Sequence, residues 1–146
     1  MADLLEQARR LGHERFATIA EEGEPGRLNR PLVKALGDEG LLELVFAGSA
    51  RELCQLREGL AHGCTEAETA LALQGLGGYP ILRAAKPELS DDWIPRLSAG
   101  GAVAGAVVWG AAVDDGLSSS SSCLAGWVVP GDVPPPPPPP DGAGAD

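Results

Sequence analysis

The stretch Thr65-Glu-Ala-Glu-Thr-Ala-Leu-Ala-Leu-Gln-Gly75 decides how this chain is read. Thr65 and Glu68 have the spacing of a capping box, which opens a helix. Ala67, Ala70, Leu71, Ala72 and Leu73 then leave little polar surface on any side. A helix apolar nearly all round is central and buried, so the neighbouring elements must cover it. Gly75 is expected to end it, and Pro80 and Pro87 to break the segment that follows.

The neighbouring segments read as helices too. Ser49-Ala-Arg-Glu52 is a second capping box, and it opens a helix with Leu53, Leu56 and Leu60 on one face. Gly63 is placed to end that helix. Upstream, Pro31 suits a first helical position and Gly40 a C-terminal cap, with Leu32, Ala35 and Leu36 as the apolar face. At the start, Asp3 and Glu6 have capping-box spacing, and Leu5, Ala8, Gly12, Phe16 and Ile19 share a stripe that Glu24-Pro25-Gly26 ends. Downstream, a short helix carries Trp93, Ile94 and Leu97, with Asp91-Asp92 in its first turn. Ala102 to Trp109 holds three valines after a Gly-Gly pair and reads as a short strand.

Composition changes near Gly110. All 11 Lys and Arg precede it, whereas five of the 21 acids follow it. A serine run, Ser118 to Ser122, and a proline run, Pro134 to Pro140, come after. Such segments do not build cores, so a disordered Ser/Pro-rich tail is expected. The proline run is expected as a polyproline II rod, a spacer or a ligand for an SH3-like groove. The fold class is therefore mainly α. Its units are a helical region over 1–100, a short strand segment over 101–113 and a low-complexity tail over 114–146.

The 146-residue chain has a net charge of −10, which argues against nucleic-acid or anionic-lipid partners. Three Cys do not make a disulfide framework, and the N-terminus lacks a signal-peptide pattern. No apolar run reaches the ~20 residues of a membrane helix, so the expectation is a soluble, cytoplasmic protein. No catalytic set stands out. His13 and His62 fit helix surfaces or ends, Cys54 and Cys64 lack the paired spacing of a zinc site, and no metal is expected. Glu21-Glu22 and Asp38-Glu39 read as solvated helix ends. Gly75-Leu-Gly77-Gly78 follows a helix rather than a strand and has no Walker lysine, so it reads as a loop or helix end.

The order of the pieces resembles the N-terminal helical region of the acyl-CoA dehydrogenases. After the opening amphipathic helix comes Leu32-Val-Lys-Ala-Leu-Gly-Asp-Glu-Gly-Leu-Leu42, where the family has a Leu-x-x-Leu-Gly-x-x-Gly-Leu phrase. The Ala-rich helix over Glu66 to Gly75 and Pro80-Ile-Leu follow. Trp93-Ile-Pro-Arg-Leu-Ser-Ala-Gly100 then resembles the family's Trp-Leu-Pro-x-Leu-Ala-x-Gly at the step into its middle β domain.

The resemblance implies FAD and an acyl-CoA thioester substrate. A glutamate removes the α proton, and flavin N5 accepts the β hydride. It implies that the helical domain walls an apolar acyl pocket, for which Leu71, Leu73, Leu76 and Ile81 are the candidates. The family's Thr-Glu-Pro and Gly-Ser-Asp flavin contacts have no counterpart after Ala106-Val-Val-Trp109. Val108, Trp109 and Gly110 are therefore cofactor candidates by position alone. None of the glutamates inherits the catalytic role, so no catalytic residue is assigned.

The leading expectation is the N-terminal part of an FAD-dependent acyl-CoA dehydrogenase-like oxidoreductase, inactive alone. The alternatives are a non-catalytic helical module completing a separate flavoprotein subunit, or a small helical adaptor read through its polyproline. A homo-oligomer is a further partner expectation. Nine Arg against two Lys, with serine and proline homopolymers, suit GC-rich coding DNA, and a frameshift near codons of about 105–115 is expected to account for the altered sequence.

Overall fold

A computed structural model describes residues 3–112 and 120–130, with 106–112 and 120–130 described as backbone. The chain opens with α1, Leu4–Leu11, which widens into one π-helical turn over Gly12–Phe16 and resumes as α2, Ala17–Glu21. The expected stripe explains the wide turn. Ala8, Gly12 and Phe16 are all buried and four residues apart, and each such step over-rotates a 3.6-residue helix by about 40°. A wider turn absorbs that drift and keeps Phe16 in the core. Asp3 stands at the N-cap, but its carboxylate does not cap: it accepts instead from Gln55 Nε2 at 3.1 Å.

Next come α3, Arg30–Asp38, and α4, Leu41–Ala47. Asn29 caps α3 by accepting from the Leu32 amide at 3.0 Å, and Pro31 sits in its first turn. Gly40 adopts φ 71, the left-handed stop that the sequence suggests. The chain then re-enters a helix at once, burying Leu41, Leu42 and Val45.

Helix α5, Ala50–Gly63, starts with the expected capping box. Glu52 N–H donates to Ser49 Oγ at 3.3 Å, and Ser49 N–H donates to Glu52 Oε2 at 2.8 Å. Helix α1 lies directly on α5. A Cβ at Gly59 would fall 2.3 Å from the Leu5 carbonyl oxygen, and one at Gly63 would fall 2.5 Å from that of Arg9. Ala8 and Gly12 face Gly59 and Gly63, so backbone meets backbone.

Helix α6, Thr65–Ala84, departs most from expectation. Cys64, not Thr65, holds the N-cap, so the Thr65–Glu68 capping box does not form. The helix also runs through Gly75, Gly77, Gly78 and Pro80, where a loop and a break were expected. Packing overrides local propensity here. A Cβ at Gly77 would lie 2.7 Å from the Gly105 amide nitrogen, and one at Gly78 would lie 2.6 Å from the Phe46 ring. The glycines thus admit neighbours that only a continuing helix can meet.

Helix α7, Pro87–Ser98, begins earlier than the short piece expected, so Asp91 and Asp92 lie past its first turn. Asp92 pairs with Arg96 one turn on at 2.9 Å. Strand β1, Ala102–Ala112, pairs antiparallel with β2, Ser120–Pro130, in the register Ala102↔Pro130 to Ala112↔Ser120. The expected strand is present and three residues longer. Of the tail read from 114 onward, Ser120–Pro130 is the part within the described residues, and the proline run lies outside them.

One core unites α1 to α6 around Phe16, Leu36, Leu42, Leu56, Leu60 and Leu71. A smaller cluster joins Leu97, Ala102 and Ala104 to Phe46, Ile81, Trp93 and Ile94. Among the described residues no helix is long and apolar enough to cross a membrane.

Candidate functional site

Helices α5 and α6 are joined through the single residue Cys64, so they form an antiparallel hairpin. Arg57 on α5 meets Glu68 on α6, and Ser49 and Leu53 line the same hollow as Ala72 and Leu76. Between them runs an open groove of about 400 Å³, floored by Val45 and Leu71 and bordered by Tyr79. Gly75 keeps it open, because a Cβ there would lie 2.7 Å from Val45 Cγ1. Near the joint, Arg57 Nε donates to Glu68 Oε1 at 2.7 Å, and its Nη2 lies 2.6 Å from the same oxygen. At the far end the Tyr79 ring carries the Arg83 guanidinium, 5.1 Å from its centroid.

The groove gathers two of the four pocket candidates, Leu71 and Leu76. Leu73 points elsewhere and is 52% exposed, lining a separate hollow of about 520 Å³ against the 23–29 loop. Helical phase explains this, since Leu73 lies about 200° from Leu71 around α6. Ile81 packs on the Leu97 cluster rather than in the groove.

Sequence reading missed the other walls, Leu53 and Ala72, and the Arg57–Glu68 pair. It also missed Gln74, the one buried polar side chain among the described residues, at 1% exposure. The Gln74 amide donates to the Ala102 carbonyl at 2.7 Å and the Leu97 carbonyl at 3.2 Å. Its Oε1 accepts from the Ala104 amide at 2.9 Å. Alternate residues of a strand present their backbone groups on the same side, so Gln74 fastens the edge of β1 that β2 leaves free.

Two of the described ionisable groups are shifted. The Ser49 hydroxyl, and then the Ser49 amide, hold the Glu52 carboxyl below its ordinary range. Burial pushes the Cys64 thiol up. His13 and His62 are exposed, and among the described residues no group of three or more His, Cys, Asp or Glu is arranged for a metal.

Val108, Trp109 and Gly110 lie in β1 opposite Leu124, Cys123 and Ser122. Their backbone is committed to the hairpin ladder, and three consecutive residues of one strand do not enclose an isoalloxazine ring.

This is a helical bundle whose last helix hands over to a β hairpin, with an apolar groove on its central helix pair. Residues 2–101 match the family model "Acyl-CoA dehydrogenase, N-terminal domain". The chain belongs to the acyl-CoA dehydrogenase family. It is also 31% identical over 101 residues to a cyclohexane-1-carbonyl-CoA dehydrogenase of Geobacter metallireducens, a match covering 63% of this chain and 27% of that relative. The chain thus spans about a quarter of that relative's length.

Proposed function

We propose that this chain supplies the N-terminal helical domain of an FAD-dependent oxidoreductase that dehydrogenates acyl-CoA thioesters, and that the α5/α6 groove forms one wall of its acyl pocket. The observation that carries this is an apolar groove on the very helices that the family match covers. Apolar walls suit a hydrocarbon chain and keep water from the reacting carbons. The Geobacter relative's name makes a compact cyclic acyl group a candidate substrate. We take the helical domain to end at about residue 100, with the β hairpin following it, because the family match stops at 101.

The 146-residue chain is inactive alone in this reading. Dye reduction by pure protein with added FAD and an acyl-CoA tests it, with no turnover expected. Turnover that disappears when FAD is removed would refute it.

A second reading is favoured by the exposed stripe of Leu73, Leu76 and Tyr79 along α6. In that reading the domain docks on a separate flavoprotein subunit, or on its own copy, and completes it without catalysing. Co-purification of a partner with the 450 nm absorbance typical of flavins, lost in Leu76→Glu, is expected; unchanged co-purification by that variant sinks the reading.

A further inference from the structure

The two ends of the groove differ, and the difference concerns which acyl groups fit. At the Cys64 joint the helices converge, and there Arg57 reaches across from α5 to Glu68 on α6. Glu68 is largely buried, with 17% of its side chain exposed, whereas Arg57 keeps half of its surface in water. At the other end α5 stops at its Ser49 cap while α6 continues past Tyr79, so the helices no longer oppose each other. The apolar floor of Val45 and Leu71, walled by Leu53 and Ala72, lies between a charged end and an open mouth.

Resting on the reading of this groove as an acyl wall, the geometry points to Arg57, held by Glu68, as a specificity-determining residue that restricts the pocket to short or compact acyl groups. A chain entering at the Ser49 end runs over Ala72 and Leu53 and then meets the ion pair. Going further strips water from the guanidinium N–H groups not bonded to Glu68, and a hydrocarbon offers them no acceptor. Methylene groups beyond that point therefore add no affinity. Arg57 lies seven positions along α5 from Ala50, so the usable floor is about 10 Å long.

The test is isothermal titration of the full 146-residue chain with free CoA, butanoyl-CoA, octanoyl-CoA and dodecanoyl-CoA, the last below its micelle concentration. The native chain is expected to bind butanoyl-CoA more tightly than CoA, with no further gain for the longer thioesters. In Arg57→Leu/Glu68→Leu the wall becomes apolar, and dodecanoyl-CoA is expected to bind at least about tenfold tighter than butanoyl-CoA, the equivalent of two further buried methylene groups. Arg57→Met, which keeps the aliphatic stem, is expected to shift the preference the same way should the double variant fail to fold. Ala72→Trp, which fills the groove, is expected to abolish the preference for any thioester over CoA.

If the native chain already tightens steadily with acyl length and the variants match it, Arg57 sets no limit and the inference fails, while the groove keeps its role. If no thioester binds better than CoA to any of the proteins, the reading of the groove as an acyl wall fails first and the inference falls with it.

Discussion

Replacing Gln74 by leucine tests how the helical bundle holds the hairpin. Leucine has similar volume but no amide. The Leu97 carbonyl keeps a partner, because the Gly100 amide donates to it at 3.1 Å. The Ala102 carbonyl and the Ala104 amide lose the Gln74 bonds of 2.7 and 2.9 Å. Each buried orphan costs about 1–3 kcal/mol. The added apolar burial returns roughly 1 kcal/mol, leaving a net loss of about 1–5 kcal/mol. Urea unfolding is expected to show the midpoint falling by about 0.5–2.5 M at unchanged slope.

Hydrogen exchange localises the effect, with the Ala104 amide losing protection first while Leu56 and Leu60 stay protected. Gln74→Glu adds a pH signature. Its carboxylate cannot donate to either carbonyl, and burial raises its pKa above the unfolded value. That variant is expected to be least stable near neutral pH and to recover as the pH falls toward about 4. A Gln74→Leu protein within about 0.5 kcal/mol of the native chain, with Ala104 still protected, would refute the reasoning.

Gly59→Ala is expected to push α1 off α5, since its Cβ would meet the Leu5 carbonyl oxygen at 2.3 Å. Helix propensity favours alanine by up to about 1 kcal/mol, yet overpacking of about 1–3 kcal/mol should prevail and lower the melting temperature. Ser49→Ala removes the α5 cap and should cost about 1 kcal/mol in urea unfolding. In the native chain the Glu52 side of that cap is pH-dependent. Its folded pKa is depressed, so its contribution is complete above the unfolded value of about 4.3 and disappears as the pH falls through the lower folded value. Exchange of the first α5 amides should accelerate across that acid window, and in Glu52→Gln it should not. Finally, in a Cys123→Ser background, a thiol reagent at pH 8 should modify exposed Cys54 quickly and Cys64, buried with its thiol pushed up, only on unfolding. Equal rates at the two sites would contradict the packing around Cys64.

Features carried by a few adjacent residues are legible in the amino-acid sequence alone. Ser49 and Glu52 spell out the α5 cap, Pro31 and Gly40 bracket α3, and the valines after Gly101 mark β1. Features that depend on distant partners are not. Gly75, Gly77 and Pro80 read locally as an ending, and only the strand and Val45 lying against α6 show why the helix continues. Helix α4 is hidden because Gly40 does end a helix, and nothing local announces that Leu41 starts another. In the groove, Leu71 and Leu76 can be picked from an apolar helix, but Arg57 and Glu68 meet only once the hairpin about Cys64 is closed. Gln74 looks like an incidental polar residue because the backbone groups it serves lie in the sequence 23 to 30 residues away.

The contact of α1 with α5 also bears on the order of folding. Its slot is made of absent side chains, so it exists only when Gly59 and Gly63 already stand on a formed helix. The α5/α6 hairpin closes through one residue, a short-range event with little loop entropy to overcome. Docking α1 instead closes a loop of about fifty residues onto a surface that tolerates almost no misalignment. The N-terminal helix should therefore be the last element to arrive and the first to detach. A chain growing from its N-terminus would hold that helix, with its buried Phe16 face, unpaired until α5 has been made.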